Sequence, residues 1–497
     1  MRLSTLLAAA GIDAATSSDP EITRIDYDSR SCEPGSLFVA VRGFHADGHD
    51  FAAGAVERGA VAVVAGHGMA QVRAALVVVP DTRVALSALA AAWHGFPSRD
   101  MCVAGITGTD GKTTTATMLW AAWAASGLAA GSLTTVDWRS RGTVTANKSR
   151  QTTLEAPELQ EHLARLRADG VTHAAVETSS HALELHRADH VAYRAGVYTR
   201  ITSEHLELHG SREAYLRAKA RLLELVGPRP DGVAVLDPED DFAYPLLSRI
   251  PVASRLTYTT SPDAPADVRA ERLDQGPRGL RVAAATPWGR AEFSLRLAGR
   301  FNAANALAAL TAACATGAGL DGAVRGLEGL ERVDGRMERV EAGQPFTVVI
   351  DYAHTAEALH QALTELRPAT SGRLWVVFGS AGERDVAKRP AMGAVAARLA
   401  DVSVITDEDP RLEDRLRILE DIAAGATEAG GRRGEDVVVV PDRSEAIDFA
   451  VAHAAEGDTV LLAGKGHEST LISGATAQPW DERAVAEDAI RRRLAGA

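Results

Sequence analysis

A chain of 497 residues is too long for one hydrophobic core, so two to four domains are expected, and 46% hydrophobic with 24% charged residues is the balance of an ordinary soluble globular protein. A formal net charge of −13 argues against a general nucleic-acid binder, which needs a basic face, yet permits an anionic small substrate held by local lysines and arginines. Cys32, Cys102 and Cys314 stand far apart, without metal-ligand spacing, and read as reduced, mostly buried thiols.

The first fifteen residues superficially resemble a signal peptide. Their apolar run reaches only from Leu6 to Ile12 before Asp13 and Asp19, which predicts an amphipathic helix instead. No stretch approaches the ~18 consecutive apolar residues of a membrane span, so no membrane association is expected and the cytoplasm is the expected compartment. Strand-like runs at Leu37–Val41, Val61–Ala65 and Ala75–Val79, with helical patterns near Phe51–Arg58 and Arg83–Trp93, predict a small α/β domain over residues 1–97. Its end, Pro97 to Asp100, has the polarity of a linker.

A second domain is predicted over residues 98–333. It opens on a strand at Cys102–Ile106, carries further strand ends at His173–Glu177 and Gly196–Thr199, and has a strand-rich stretch at 256–298 before a helix over Asn302–Gly317. The third, 334–497, has the cleanest alternation. Apolar strands at Thr347–Ile350, Leu374–Phe378, Val402–Ile405, Val437–Val440 and Thr459–Ala463 alternate with helical patterns, as in a doubly wound sheet. The fold class is therefore α/β throughout. Ligands of such sheets bind beyond the C-terminal strand ends, where this chain places Asp351 to His354, Gly382 to Asp385, Asp407 to Arg411 and Gly464 to Glu468.

Between the strand at Cys102–Ile106 and a long apolar helix lies Thr107-Gly108-Thr109-Asp110-Gly111-Lys112-Thr113, followed by Thr114. Gly108 and Gly111 let backbone N–H groups turn inward, and the helix N-terminus favours anionic oxygens. Lys112 is placed to reach the β/γ-phosphates and the Thr113 hydroxyl to hold Mg²⁺. This predicts a nucleoside triphosphate site, although Ile106 stands where the general phosphate-loop pattern has its first glycine.

Two more groups of residues qualify as chemistry. In Glu177-Thr178-Ser179-Ser180-His181, Glu177 suits a metal ion and the hydroxyls a polar ligand; equally, Ser179 or Ser180 suits a helix cap. In the run from Glu204 to Gly210, His205 and His209 stand four apart, but Leu206 occupies the place of a zinc protease's glutamate, so zinc is rejected and help at a Mg²⁺ site preferred. Lys219 on the following helix reads, by itself, as a solvated lysine.

Together these motifs resemble the Mur ligases, ATP-dependent cytoplasmic enzymes that extend the peptide of a UDP-linked peptidoglycan precursor, over nearly the whole chain. The match is best to members adding the third residue: Asp28-Ser29-Arg30 with Pro34 to Ala40 and Asp47-Gly48-His49 resembles their UDP-binding domain, and Asp351-Tyr352-Ala353-His354-Thr355 with Gly464-Lys465-Gly466-His467-Glu468 their C-terminal motifs. The resemblance implies a small UDP-binding domain, a phosphate-loop ATPase-type domain and a Rossmann-like domain, with ATP and Mg²⁺ as cofactors, and UDP-N-acetylmuramoyl-dipeptide and a free amino acid as substrates; a monomer is the favoured state. It implies that Ser29, Phe44, His45 and Ala46 contact the uridine nucleotide, that Thr152, Thr153, Ser179 and Arg187 bind the muramoyl-dipeptide, and that Asn302, Asn305, Arg336 and Asp351 join Gly108–Thr114 around ATP. Glu177 and His205 would hold a second Mg²⁺ with Lys219, which matches a lysine the family carbamylates; Lys112, Lys219 and His205 would be the catalytic set.

Three positions depart from the family pattern. Leu154 replaces a proline, and Leu185 a glutamine found in some members. Glu408-Asp409-Pro410-Arg411 replaces Asp-Asn-Pro-Arg of the diaminopimelate-adding enzymes. Arg411 and Arg384 would bind carboxylate, while Glu408, Asp409 and Glu468, beside Pro410 and Gly464, would bind ammonium. The extra acid at Asp409 favours a cationic side-chain end, as in ornithine, lysine or diaminopimelate. The expected reaction is ATP-driven amide formation through an acyl phosphate. Its rivals are a same-fold ligase for another acyl substrate, against which the UDP-type N-terminal domain argues, and a non-catalytic ATP switch.

Overall fold

The computed structural model describes residues 1–44, 46–69, 72–149, 151–202, 204–276 and 279–496. They form two compact units. One holds residues 1–269, 285–290 and 305–326; the other holds 270–284, 291–304 and 327–497.

The first unit opens with helix α1 (Leu3–Ala9), whose buried Leu3, Leu6 and Leu7 confirm the amphipathic reading. Strands β1 (Arg24–Asp26), β2 (Ser36–Val39), β3 (Ala60–Ala65) and β4 (Ala75–Val78) form a parallel sheet in that order, with helices α2 (Ala52–Glu57) and α3 (Thr82–Trp93). β1 escaped prediction because three residues, Arg-Ile-Asp, carry no readable alternation. The expected linker is instead a fastened junction. Pro97–Asp100 is a short 3-10 turn in which buried Ser98 accepts the Ala192 N–H at 3.0 Å, and Arg167 donates to the His94 and Gly95 carbonyls at 3.0 and 3.1 Å. Ser98 satisfies neighbouring backbone, while Arg99 and Asp100 are exposed.

The same unit continues through β5 (Cys102–Thr107), α4 (Lys112–Ala125), β6 (Ala130–Leu133), β7 (Asp137–Ser140), β8 (Thr143–Ala146), α5 (Ala156–Ala168), β9 (His173–Glu177), α6 (Ser180–Glu184), β10 (Tyr193–Tyr198), α7 (Leu206–His209), α8 (Arg212–Val226), β11 (Val233–Leu236), α9 (Tyr244–Leu247) and β12 (Ser254–Thr259). Its sheet runs β12-β11-β10-β5-β9-β6-β7-β8, parallel from β12 to β6 and antiparallel beyond. All six residues of β5 are buried, as an apolar strand covered on both faces requires. Strands β13 (Val268–Gly276), β14 (Gly279–Thr286) and β15 (Gly289–Leu295) fulfil the strand-rich expectation, and α10 (Phe301–Ala315) and α11 (Leu320–Gly329) follow.

The second unit carries β16 (Glu338–Val340), β17 (Thr347–Asp351), α12 (Ala356–Leu366), β18 (Leu374–Phe378), α13 (Lys388–Leu399), β19 (Val402–Ile405), α14 (Arg415–Glu428), β20 (Val437–Val439), α15 (Arg443–His453), β21 (Thr459–Ala463), a hairpin of β22 (Thr470–Ser473) and β23 (Thr476–Pro479), and α16 (Glu482–Ala495). The six-stranded sheet has the order β16-β17-β21-β18-β19-β20, with only β16 antiparallel. Alternate strand residues feed two cores. Leu374, Val376 and Phe378 pack with α12, α13 and α14, while Trp375 and Val377 pack with α15 and α16.

All three cysteines are free and buried, and burial pushes each thiol up to about 11. Among the described residues no helix is long and apolar enough to cross a membrane.

Helix α8 lies directly on β5 because Gly105 has no side chain. A Cβ there would meet Leu222 Cδ1 at 2.6 Å and the Tyr193 ring at 2.8 Å. Gly105→Ala is therefore expected to destabilise the first unit by about 1–3 kcal/mol, read as a lower midpoint of its thermal transition.

Candidate functional site

The turn from β5 into α4 is built on two glycines with positive φ. Gly108 (φ 156°) lies so close to β10 that a Cβ would sit 1.8 Å from Thr199 Oγ1, and a Cβ on Gly111 (φ 82°) would sit 2.3 Å from Asn305 Oδ1. Neighbouring backbone holds the turn in place: the Thr109 N–H donates to the Arg200 carbonyl at 2.8 Å and Thr199 Oγ1 to the Asp110 carbonyl at 2.6 Å. Gly111 is the N-cap of α4 and brings no side-chain acceptor to its first amides, the arrangement an anion needs. Thr113 and Thr114 follow in the first turn, both buried.

Two lysines meet at the Gly108 carbonyl. Lys112 Nζ donates to it at 3.2 Å and to the Thr109 carbonyl at 2.7 Å; Lys219 Nζ reaches it from α8 at 2.7 Å. Lys219 is 1% exposed, which reverses its reading as a solvated lysine. Its Nζ lies 4.4 Å from the Tyr215 ring centroid, and the Tyr215 hydroxyl is 3.1 Å from Thr109 Oγ1. Burial first, and then the Lys112 charge, hold the Lys219 ammonium well below the usual lysine range.

At the end of β9, buried Glu177 accepts the Thr135 N–H at 2.8 Å and its hydroxyl at 2.9 Å, one on each carboxylate oxygen. Thr153 Oγ1 donates to the Glu177 carbonyl at 2.8 Å and accepts the Ser179 N–H at 3.0 Å. Ser179 also caps α6 by accepting from the Ala182 N–H, so the capping reading holds at a position that remains a candidate for ligand binding. Arg187 donates to the Thr153 carbonyl at 3.2 Å and pairs with Glu155 at 2.6 Å, which sets Thr153, Ser179 and Arg187 in one cluster beside the partly exposed Thr152. His205 takes a left-handed backbone (φ 56°), stacks edge-on to His181 at 4.4 Å and lies 3.5 Å from Glu204. Among the described residues no three His, Cys, Asp or Glu side chains converge on a metal position. Of the expected uridine contacts, Ser29 is half-buried, Phe44 and Ala46 are exposed, and His45 lies outside the described residues.

In the second unit the strand ends of β17, β19 and β21 supply the polar groups. Asp351 is held by the Met337 and Ala353 N–H groups at 2.8 and 2.9 Å, and the Arg336 guanidinium lies 4.9 Å from the Tyr352 ring centroid. His467 beside it is pushed down to about 3, by burial first and then by Arg336, so it is a neutral ring near pH 7. Asn302 donates to the Ala298 carbonyl at 2.5 Å. Arg384 is exposed on the loop after β18.

The amino-acid expectation needs one correction. Asp409 was expected to offer its charge to an incoming ammonium, but its Oδ1 accepts from Lys465 Nζ and from the Ile472 N–H, both at 2.9 Å. Lys465 is wholly buried and also donates to Glu468 at 2.7 Å, so Asp409 shares an internal cation with Glu468. Sequence alone could not pair residues 56 positions apart. The Ile472 donor lies on the unpredicted hairpin, which also fixes Arg411 by accepting its N–H at 3.1 Å. What remains on this loop, which includes Pro410, is of another kind. Glu408 Oε2, packed against Gly464, and Arg411 Nε are both buried without a hydrogen-bond partner among the described residues.

The chain is similar to known proteins along nearly its whole length. Residues 21–94 match the Mur ligase family catalytic domain, 106–313 the Mur ligase middle domain and 335–466 the Mur ligase glutamate ligase domain. The chain is 48% identical over 487 residues to a UDP-N-acetylmuramyl-tripeptide synthetase of Roseiflexus sp. (strain RS-1), covering 95% of each chain. It is 39% identical to a UDP-N-acetylmuramoyl-L-alanyl-D-glutamate–2,6-diaminopimelate ligase of Geobacillus thermodenitrificans, covering 99% of this chain and 100% of that one. A solved structure of a ligase of the latter name superposes with a TM-score of 0.68 at 29% identity, covering 99% of this chain and 100% of the other.

Removing the lysine from the Asp409–Lys465–Glu468 trio should expose its electrostatic cost. Lys465→Met is expected to destabilise the second unit by about 3–5 kcal/mol, because it strands the buried Asp409 carboxylate. Lys465→Met/Asp409→Asn should regain at least half of that loss in urea unfolding.

Proposed function

The chain belongs to the Mur ligase family, and we propose that it joins a free diamino acid to the D-glutamate carboxylate of UDP-N-acetylmuramoyl-L-alanyl-D-glutamate while ATP is cleaved to ADP and phosphate. The observation that carries this reading is the 408–411 loop. An acceptor oxygen on Glu408 and a donor nitrogen on Arg411, both buried and unpartnered, are the complement of a zwitterion. Leaving both unsatisfied is costly, and an amino acid supplies an ammonium for one and a carboxylate for the other. The names of the relatives support the nature of the other substrate.

In this reading the ATP phosphates lie on the Gly108–Thr114 turn, where Lys112 leaves its two carbonyls to neutralise charge on the transferring group. Asn302, Asn305, Arg336 and Asp351 hold the rest of the nucleotide. The D-glutamate carboxylate attacks the γ-phosphorus, giving an acyl phosphate and ADP. The amino acid's α-amine then attacks the acyl carbon, and phosphate leaves. Ser29, Phe44, His45 and Ala46 bind the uridine end, and Thr152, Thr153, Ser179 and Arg187 the muramoyl-dipeptide. Gly464 and Glu468, with Arg384 and Arg411, orient the amino acid. Asp409 does not contact it and acts through Lys465.

Mg²⁺ takes hard oxygen donors, which the Thr113 hydroxyl would supply to one ion and the Glu177 carboxylate to a second, with the His205 imidazole assigned to that second ion as a weaker nitrogen donor. Magnesium there supplies charge neutralisation for the phosphates. A neutral Lys219 amine adds carbon dioxide and loses one proton to become a carbamate, turning a buried cation into an oxygen ligand. Its depressed basicity supports that chemistry, since only the free amine is nucleophilic. The three domains are taken as 1–97, 98–333 and 334–497, in the cytoplasm.

Three measurements test this reading. ADP release should require both the UDP-dipeptide and an amino acid, with ornithine, lysine and diaminopimelate compared by kcat/KM; ADP release independent of the amino acid would mean an ATPase or switch. Lys112→Ala should lower turnover by more than ~100-fold, and near-normal turnover in the folded variant would reject the ATP site. Lys219→Ala should be nearly inactive and partly rescued by short carboxylates, while an unmodified ammonium in an active, substrate-bound crystal would remove the carbamate.

A further inference from the structure

Arg443 lies outside every motif considered so far, yet it is wholly buried and makes more polar contacts than any residue of the amino-acid loops. It is the first residue of α15, and its guanidinium pairs in two-pronged fashion with Glu482 at the start of α16, Nε to Oε2 at 2.9 Å and Nη2 to Oε1 at 2.5 Å. Two of the three remaining N–H groups go to backbone. Nη1 reaches the Asp407 carbonyl at 3.1 Å and Nη2 the Ala463 carbonyl at 2.8 Å. Those carbonyls immediately precede the two candidate loops, Glu408–Arg411 and Gly464–Glu468.

Their strands are not neighbours. In the sheet β18 lies between β19 and β21, so no backbone ladder couples the two ends. Arg443 bridges them across that gap. Glu482 is in turn held by the Trp480 indole N–H at 2.6 Å, and the Trp480 N–H donates to the Ser469 carbonyl. Trp480 closes the β22–β23 hairpin, whose Ile472 N–H and carbonyl satisfy Asp409 and Arg411. A closed circuit therefore runs from Arg443 through Glu482, Trp480 and the hairpin back to the 408–411 loop.

We propose that Arg443, with Glu482 as its counter-charge, is a positioning residue that sets the spacing of the two amino-acid loops. It touches no substrate. By fixing two strand-end carbonyls in one planar donor fork it aligns Glu408 and Arg411 on one side with Gly464 and Glu468 on the other. Arginine suits this place because its planar fork binds the carboxylate by two N–H groups and still reaches both carbonyls, four contacts that the three N–H groups of lysine do not supply. The inference rests on the reading of these loops as the amino-acid site.

The decisive variant is Arg443→Met/Glu482→Leu. Replacing a buried ion pair with apolar side chains of similar size commonly preserves the fold, whereas Arg443→Met alone strands the Glu482 charge. The double variant should keep its KM for ATP and for the UDP-dipeptide and unfold at a lower thermal midpoint, because the Asp407 and Ala463 carbonyls and the Trp480 indole N–H lose their partners, while its KM for the amino acid rises by about tenfold or more. Arg443→Lys should give an intermediate rise. An unchanged amino-acid KM in the folded double variant overturns the proposal, and if that variant fails to fold, an unchanged KM in Arg443→Lys does so. If the unaltered protein releases no ADP in response to any amino acid, the functional reading falls, and the clamp's role with it.

Discussion

A strand buried on both faces of a parallel sheet ends by handing a polar backbone to the C-terminal edge, and each carbonyl released there needs a donor. This obligation organises the chemistry of the whole chain. The Gly108 carbonyl past β5 takes two lysines, the Glu177 carbonyl at β9 takes Thr153, and the ends of β19 and β21 take Arg443. These capping side chains stand beside the positions proposed above for phosphate, dipeptide and amino acid, so a substitution at a capping position disturbs the frame next to them.

What could be read in the sequence was local. The phosphate loop was legible because strand, turn and helix follow one another directly from Cys102 to Ala125, and the five parallel strands of the second unit because each carries a short apolar run. Lys219 was legible only through family resemblance. Its helix reads as amphipathic, and nothing in the neighbouring residues says that Gly105 lets that helix sink onto β5 until the lysine is sealed against the Gly108 carbonyl. The charge on Asp409 was legible, but its balance by Lys465 was not, since the two meet only after β21 returns to the middle of the sheet. The 470–479 hairpin went unseen because its strands are four residues each and largely exposed, so burial leaves no pattern on them.

Several loops near these sites hold non-glycine residues in the left-handed region: His205 at φ 56°, Glu383 at φ 56° and Arg411 at φ 55°. Such a backbone costs about 1–3 kcal/mol per residue and persists where surrounding contacts over-determine it. For Arg411 those contacts are visible. The Ile472 carbonyl accepts its N–H, and its own carbonyl accepts the Gly474 N–H at 2.7 Å, so the hairpin imposes the turn that aims the guanidinium.

The burial of all three thiols has a practical consequence. With each held at about 11, Cys32, Cys102 and Cys314 present almost no thiolate near pH 7. A cysteine introduced on an exposed loop would therefore outcompete them for a maleimide by a wide margin. The native chain is thus ready-made for paired fluorophores or spin labels, one on each compact unit, and the distance between units could be followed through a turnover without first stripping any natural cysteine from the core.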